Sequence, residues 1–294
     1  MTRWVVAGAG GMLGRDLLAA LGRGGEQATG LARPELDITD GAAVSAALRQ
    51  HRPDVVVNCA AWTRVDDAEN HESAALAVNG PGAANLAGAC AGTGARLVHI
   101  STDYVFAGDA TRPYAESDAT GPRTAYGRTK LAGEQAVLRQ LPAAGYVLRT
   151  AWLYGAHKPN FVRTMIRCER EQPAVDVVDD QRGQPTCTAD VARAVVALVR
   201  SGAPAGIYHA TSPGSVTWYG FAREIFTQLG ADPARVRPVT TAEFPRPAPR
   251  PAYSVLGHGA WAAAGLGPLP GWQESLRRAL PGLLAEEAAA AATG

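Results

Sequence analysis

Lysine is nearly missing from this 294-residue chain, which has 28 basic residues but carries lysine only at Lys130 and Lys158. Acidic and basic residues almost balance, and the formal net charge is +1. This balance argues against a nucleic acid or an anionic membrane as a partner. Because arginine supplies nearly all of the positive charge, each lysine is a candidate for a role that needs an amine.

Cysteine is also scarce, and long apolar runs are missing. The four cysteines form no C-x-x-C pair and have no metal-ligand spacing with histidine, so we expect neither disulfides nor a metal site; they are Cys59, Cys90, Cys168 and Cys187. No run approaches the ~18 apolar residues that a membrane span requires. The start of the chain lacks the apolar core of a signal peptide. The cytoplasm is therefore the expected compartment.

The first half of the chain alternates short apolar runs with helical patterns. Strands are predicted at 3–7, 27–31, 54–61, 96–101 and 146–153, and helices at 12–21, 41–50, 74–91 and 126–141. Strands that alternate with helices form right-handed βαβ units and a parallel sheet covered on both faces. The predicted fold class is therefore α/β, a doubly wound parallel (Rossmann) sheet.

The second half is richer in proline and has weaker strand patterns. We expect it to form a smaller, irregular α+β substrate lobe over the carboxyl ends of the strands, where ligands bind in this fold. A helix at 188–200 and a strand at 206–210 are predicted to rejoin the sheet. The dinucleotide-binding domain is thus predicted at 1–155 plus about 188–210, and the substrate lobe at 156–187 plus 211–282. Residues 283–294 form a tail, expected to fray from Ala285.

A glycine-rich turn follows the first predicted strand and opens the first helix. Glycines there allow a tight turn and let backbone N–H groups approach a pyrophosphate at the helix N-terminus. In a chain with 33 glycines the spacing alone is weak. A purely structural turn is the alternative, but the position at the strand–helix junction favours a dinucleotide site. We therefore assign cofactor binding to Gly8, Gly11, Met12, Leu13 and Gly14.

The second predicted strand ends without the acidic residue that commonly binds the ribose of NADH in this fold. Arg33 follows the strand instead. Its guanidinium would suit the 2′-phosphate of NADPH, although a solvated surface arginine is an equal alternative. The sequence therefore predicts NADPH or NADH as the cofactor without deciding between them.

Tyr126 and Lys130 lie four residues apart in a predicted helix, which places both on one face. Ketone reduction needs a hydride at carbon and a proton at oxygen, and a phenol with a pKa of about 10 is a poor acid–base group at neutral pH. A neighbouring ammonium would lower that pKa. We predict that Tyr126 donates the proton and that Lys130 tunes it and binds the cofactor ribose; a surface pair is the alternative.

The same spacing recurs at Tyr154 and Lys158, but there it ends a strand and runs into Pro159, which disfavours a helix. We reject this pair as catalytic and interpret Lys158 as a surface lysine, with a phosphate contact as the alternative.

Two hydroxyl residues, Ser101 and Thr102, end the predicted strand 96–101, at the edge where ligands bind. Thr102 would orient a substrate carbonyl beside Tyr126 and stabilise the charge that develops there. Ser101 is the other candidate for that role. The alternative to a substrate contact is that the hydroxyl serves only as a structural cap.

The order of these motifs resembles the extended short-chain dehydrogenase/reductases. The resemblance is carried by the glycine loop, Asp54–Ala61, Ser101–Phe106 and the Tyr-x-x-x-Lys pair. Within that group the chain is similar to the dTDP-4-dehydrorhamnose reductase family of deoxysugar ketoreductases. Further segments agree at 36–40, 65–69, 160–165, 180–186 and 250–256, so that the resemblance spans roughly residues 3 to 282.

The resemblance implies further site residues that the patterns alone do not give. Cofactor contacts would come from Asp37 (near the adenine), Ile38, Ala60, Ala61 and Thr63. Substrate contacts would come from Thr102 and Tyr126 together with Val65, Asp103, Trp152, Gln184 and Arg250. A core position for Trp152 and a surface position for Arg250 are the alternatives.

The implied reaction is hydride transfer from NADPH or NADH to the 4-keto carbon of a dTDP-linked keto-deoxysugar, with Tyr126 as the proton donor. A dihydrostreptose-type synthase would look much the same. The alternatives are a nucleotide-sugar epimerase or dehydratase and a non-catalytic regulatory subunit; Tyr104 after Thr102-Asp103, where a dehydratase has an acid, disfavours the dehydratase. The sugar, the product stereochemistry and the choice between monomer and homodimer stay open.

Overall fold

This computed structural model describes residues 1–293. In chain order the strands are β1 (Arg3–Ala7), β2 (Gln27–Leu31), β3 (Val55–Asn58), β4 (Arg96–Thr102), β5 (Gly145–Thr150), β6 (Leu153–Tyr154), β7 (Val175–Val178), β8 (Arg182–Gly183), β9 (Thr186–Cys187), β10 (Gly206–His209), β11 (Val216–Thr217) and β12 (Val236–Val239). The helices are α1 (Met12–Arg23), α2 (Gly41–His51), α3 (Val65–Asn70), α4 (Glu72–Asn79), α5 (Pro81–Thr93), α6 (Ala125–Gln140), α7 (Phe161–Glu171), α8 (Thr188–Ser201), α9 (Trp218–Gln228), α10 (Gly259–Ala263) and α11 (Trp272–Thr293).

Within these residues a six-stranded sheet has the order β10-β5-β4-β3-β1-β2, and all of its pairings are parallel. The predicted return of strand 206–210 to the sheet is confirmed by β10 beside β5. Since parallel strands end at one edge, the residues after β1, β3, β4 and β5 meet there. The predicted doubly wound α/β fold is confirmed.

Both faces of the sheet are covered, which explains why its strands are almost continuously apolar. In β3, Val56 packs on one face with Leu48 and Leu86, while Val57 packs on the other with Leu17 and Val195. Successive side chains of a strand point to opposite faces of the sheet. Each face therefore needs its own layer of helices. Helices α2, α5 and α6 supply one layer, and α1 and α8 supply the other.

Two predicted elements are divided in the structure. The single helix predicted at 74–91 is wrong: α4 ends at Asn79 and Pro81 begins α5, because proline lacks an N–H and disfavours helical backbone in the residue before it. The strand predicted at 146–153 stops at Thr150, since Trp152 has φ = 45°, outside the β region. The chain resumes as β6, which pairs with β9.

A separate apolar cluster forms from residues 154–187, 221–236 and 272–283. It includes Phe221, Phe226 and Leu276, all at most 1% exposed, and β12 pairs with β7 beside it. This cluster is the physical basis for a substrate lobe; the domain boundaries given above stay a prediction.

The segment predicted to be a fraying tail continues α11 to Thr293. Leu283 is fully buried, and Glu287 pairs with Arg163 of α7. Residue 294 lies outside the described residues. Within the described chain, no helix is both long enough and apolar enough to cross a membrane.

Candidate active site

A cleft of two adjoining cavities lies at the carboxyl edge of the sheet. One, of about 550 Å³, contains Thr102, Tyr126 and Lys130, and the other, of about 390 Å³, lies between the glycine loop and the end of β2. Both are lined by Gly11 and Ala61. A larger depression of about 790 Å³ lies at the opposite edge, beside Arg52, and includes none of the predicted site residues.

The glycine loop is shaped by close backbone approach. Gly8 has φ = +76°, and a Cβ there would lie 2.5 Å from the backbone nitrogen of Ala60. A Cβ on Gly14 would lie 2.5 Å from the carbonyl oxygen of Gly8. In the described chain no side chain caps α1 at Gly11, so the first N–H groups of the helix are available to an anion. Met12 and Leu13 line the larger of the two cavities. This geometry fits the pyrophosphate of a dinucleotide.

The smaller cavity of the cleft ends at Arg33, Asp37 and Ile38. The Arg33 guanidinium lies 3.5 Å from the Asp37 carboxylate, and the Arg33 side chain is 81% exposed. Hydrogen bonds from Thr39 lower the pKa of Asp37, so Asp37 is ionised at neutral pH. Ala60 and Ala61 form the opposite wall. Arg33 is thus exposed at the end of this cavity, with Asp37 as its partner.

Helix α6 places Tyr126 and Lys130 on the cleft. It begins after Thr124, whose hydroxyl accepts from the Gly127 N–H as an N-cap. Tyr126 lies one helical turn before Lys130, and its ring meets that of Tyr104 edge to face at 5.6 Å. Lys130 is 2% exposed, and its Nζ donates to the carbonyl of Ile100 at 2.7 Å. The predicted shared face is present.

The ionisation of the pair differs from the simple expectation. Burial raises the pKa of Tyr126 to about 12, and hydrogen bonding with Thr102 opposes this rise. Burial also lowers the pKa of Lys130 to about 8. The predicted lowering of the phenol pKa by Lys130 is therefore not found in this structure, because burial is the dominant effect on the phenol. Tyr126 is a protonated phenol at neutral pH.

Thr102 and Ser101 separate at the end of β4, because successive strand residues point to opposite faces. Ser101 donates to Glu134 at 2.5 Å, and Glu134 forms a fully buried pair with Arg149 at 2.7 Å. Thr102 lies on the side of Tyr126, and its hydroxyl donates to Asp103 at 2.9 Å. Of the two rivals, Thr102 is the one whose hydroxyl is near the phenol.

Asp103 lines the same cavity as Thr102. It is 3% exposed, and burial raises its pKa to about 6, against the opposing effect of hydrogen bonds from Ser254 and Thr102. At neutral pH it is mostly a carboxylate, and it accepts a hydrogen bond from the Thr102 hydroxyl.

Part of the wall of the larger cleft cavity is aromatic. Trp152 stacks on Trp218 with ring centroids 3.6 Å apart, and both line the cavity with Thr63 and Val65. Gly183 lies against Trp152, since a Cβ there would be 2.4 Å from the indole. Trp218 and Tyr104 were missed as site residues from the sequence. Trp218 begins α9, far from Trp152 in the chain, and no local pattern links them.

Two predicted substrate residues lie outside these cavities. Gln184 is 2% exposed, and its amide is taken by the Leu256 backbone and by Thr211. Arg250 donates to Asp66 at 2.8 Å and lines a smaller cavity beside Tyr104. The structure does not bring either side chain to Tyr126.

The second Tyr/Lys pair is separated. Tyr154 is 1% exposed in the apolar cluster of the second half, whereas Lys158 has φ = 68° in a loop that borders the cleft. Residues 1–293 contain no group of three or more histidine, cysteine, aspartate or glutamate residues placed to hold a metal ion.

The fold and the site define a dinucleotide-dependent oxidoreductase of the extended short-chain type. More specifically, the chain belongs to the family described as RmlD substrate binding domain, whose family model matches residues 2–284. The resemblance drawn from the motifs is confirmed.

Named relatives agree with this chain over almost the full length. The chain is 58% identical to a dTDP-4-dehydrorhamnose reductase of Streptomyces griseus over 285 residues, 96% of this chain and 94% of the relative. It is 56% identical to a dTDP-4-keto-6-deoxy-D-glucose reductase of Streptomyces niveus, over 97% of this chain and 99% of the relative. A crystal structure of dTDP-4-dehydrorhamnose reductase from Bacillus anthracis in complex with NADP superposes with a TM-score of 0.92 at 38% identity, over 95% of this chain and 99% of that one.

Proposed function

We propose that the protein reduces the 4-keto group of a dTDP-linked 6-deoxysugar with NADPH. The observation that carries this proposal is the meeting of Thr102, Tyr126 and Lys130 in one cavity that adjoins the glycine loop. The names of the Streptomyces relatives share a dTDP-linked keto sugar. These names differ in the sugar, so the experiment below determines the configuration of the sugar.

The cofactor would be held along the whole cleft. The N–H groups that open α1 after Gly11 would bind the pyrophosphate. Arg33 would bind the 2′-phosphate, and Asp37 and Ile38 would contact the adenosine. Lys130 would bind the ribose next to the reduced nicotinamide, which supplies the hydride when it is bound. The NADP complex of the Bacillus anthracis relative supports this choice of cofactor.

Tyr126 would supply the proton. Because its raised pKa keeps the phenol protonated at neutral pH, its O–H can be given to the carbonyl oxygen as negative charge develops there. Thr102 would orient that oxygen and share the charge once its hydroxyl turns from Asp103 to the substrate. Since this charge exists only in the transition state, both contacts would act mainly on kcat.

The sugar would lie between Tyr126 and the indole of Trp152, with Val65 at its side. Trp152 is fixed by the Trp218 ring behind it and by Gly183, so it can exclude water without a conformational change. Arg250 would reach a diphosphate only by leaving Asp66, which makes its predicted role dependent on a rearrangement. The four unpaired cysteines support a reducing compartment, the cytoplasm.

The test combines NADPH oxidation with product analysis. The protein is incubated with NADPH and either dTDP-4-dehydrorhamnose or dTDP-4-keto-6-deoxyglucose, and the product is identified by NMR. We expect one NADPH oxidised per sugar reduced for at least one substrate. A change of sugar configuration without net oxidation would indicate an epimerase. No oxidation with either sugar would overturn the proposal.

A further inference from the structure

A buried chain of polar groups lies behind the active-site lysine. Asn58 ends β3, His99 is in β4, and Lys130 is on α6, so that three elements of the fold meet at this point. Each of the three side chains is at most 2% exposed. The Asn58 amide nitrogen lies 3.0 Å from His99 Nδ1, and His99 Nε2 lies 3.3 Å from Lys130 Nζ.

The orientation of the Asn58 amide is fixed by the backbone. The Ala60 N–H donates to Asn58 Oδ1 at 3.0 Å, so this atom must be the oxygen and the other must be the NH₂ group. That NH₂ group can only donate, and His99 Nδ1 must therefore accept. Burial and the nearby Lys130 hold the pKa of His99 well below its usual value, so the ring is neutral. Its single proton is thus on Nε2.

The His99 Nε2–H faces Lys130 Nζ, which can only donate hydrogen bonds when it is charged. An ammonium has three N–H donors and no acceptor. Lys130 Nζ already donates to the Ile100 carbonyl, and an ammonium could offer nothing to a second N–H at 3.3 Å. A neutral amine, by contrast, can accept from Nε2–H with its lone pair while it donates to Ile100. The contact therefore favours the neutral form.

The other groups around Lys130 act in the opposite direction. The Glu134 carboxylate, one turn further along α6, favours the ammonium, and a thiolate at Cys59 after β3 would do so too. Glu134 is already engaged by Arg149 at 2.7 Å, and burial raises the pKa of Cys59 to about 12, so that the thiol is uncharged. Tyr126 is likewise a neutral phenol. Among these groups, none thus offers Lys130 an unpaired negative charge that would stabilise the ammonium.

We propose that His99 is a positioning residue for the reaction: Asn58 locks it as the Nε2–H tautomer, and that N–H shifts Lys130 toward the neutral amine. Lys130 consequently gains and loses a proton close to neutral pH. The state of Lys130 does not depend on the proposed function; its use in the reaction, as the group that binds the cofactor ribose, rests on that function.

The scarcity of lysine makes the state of Lys130 directly measurable. In a Lys158→Arg background Lys130 is the only lysine, so lysine labelled with ¹³C at Cε gives one NMR signal whose shift follows its protonation. We expect a midpoint more than one pH unit below the ordinary value of about 10.4. His99→Leu should raise the midpoint by about one unit, a tenfold change in proton affinity. The matched control is His209→Leu, which removes another fully buried histidine and should leave the midpoint unchanged.

A second measurement uses the wild-type protein and therefore does not depend on the folding of a variant. The ¹⁵N shifts of His99 at pH 7 should show a protonated Nε2 and an unprotonated Nδ1. A protonated Nδ1 would overturn the proposal, and so would a Lys130 midpoint that His99→Leu leaves in place. Neither readout uses the sugar or NADPH. A protein that shows both signatures but reduces no keto sugar would overturn the proposed function and leave this inference standing.

Discussion

Trp152 lies flat against Trp218, with 3.6 Å between the ring centroids and 7° between the planes. Trp152 follows β5 in a backbone conformation with φ = 45°, which is uncommon for a bulky residue. Such a conformation persists where its surroundings fix it. Here Gly183 on one side and Trp218 on the other define the position of the indole, and with it one wall of the cleft.

Trp218→Leu should therefore weaken the binding of the sugar nucleotide. Loss of an aromatic pair costs about 0.5–1.5 kcal/mol beyond the buried area, so we expect KM for the keto sugar to rise about three- to tenfold. Trp218→Phe should restore most of the loss. Steady-state kinetics with both variants measure this, with the Kd of NADPH as the internal control. An equal loss of NADPH affinity would show that Trp218 supports the fold and not the sugar site.

Arg33→Ala tests the cofactor phosphate. A hydrogen bond to a charged group contributes about 1.5–3 kcal/mol, so the Kd of NADPH should rise about 10- to 100-fold while that of NADH is unchanged. Arg23→Ala, which removes an exposed arginine from the last turn of α1, is the matched control. Fluorescence titration with both cofactors gives the comparison. Equal losses for NADPH and NADH would remove the role in phosphate binding.

Gly14→Ala tests the close approach in the glycine loop. The new Cβ would lie 2.5 Å from the Gly8 carbonyl oxygen, so α1 must move away from the loop, and we expect NADPH affinity to fall by at least tenfold. Gly22→Ala places its Cβ in open space in the same helix and should raise the free energy of unfolding by about 0.5–1 kcal/mol. Unchanged NADPH binding in Gly14→Ala would contradict the geometry.

Asp103→Asn should change how stability depends on pH. The pKa of Asp103 is about 6 in the folded protein and about 3.9 when unfolded, so folding favours the protonated acid. The wild-type protein therefore has its full stability below pH ~4, where Asp103 is protonated in both states. It loses stability as the pH rises through ~6, because the buried carboxyl must then ionise. The variant should match the wild type at pH 4 and exceed it by about 3 kcal/mol at pH 7. Urea unfolding across this range measures the difference.

Asp118→Asn is the control for that experiment, because its partner Arg112 lowers the pKa of Asp118. Its effect should have the opposite sign: stability should be lost relative to the wild type at neutral pH and recovered in acid. Parallel pH profiles for Asp103→Asn and the wild type would show that the Asp103 carboxyl is not desolvated.

The parts of the site that the sequence predicts are those carried by local patterns. A four-residue spacing in a helix places Tyr126 and Lys130 together, and a strand end places Thr102 near them. The division of the helix at Pro81 was missed, although proline itself is a local signal for it. The place of Trp218 in the site could not be predicted from the sequence, because only the tertiary fold brings it to Trp152.

Ionisation was the hardest property to predict. The spacing of Tyr126 and Lys130 suggests an ammonium beside a phenol, but it contains no measure of burial. In the folded protein, desolvation raises the pKa of the phenol and lowers that of the amine. Gln184 shows the same limit for hydrogen bonds: its place in a motif suggests a ligand contact, whereas the fold engages its amide with Leu256 and Thr211.

Proton donation by Tyr126 is tested most directly by single-turnover reduction of the keto sugar with Tyr126→Phe. Removal of a general acid should slow the chemical step by about 10²- to 10⁴-fold while NADPH still binds. Tyr154→Phe, which removes a buried hydroxyl from the other Tyr-x-x-x-Lys pair, should react at the wild-type rate. If Tyr126→Phe kept most of its single-turnover rate, the phenol would not be the proton donor and the mechanism would be wrong.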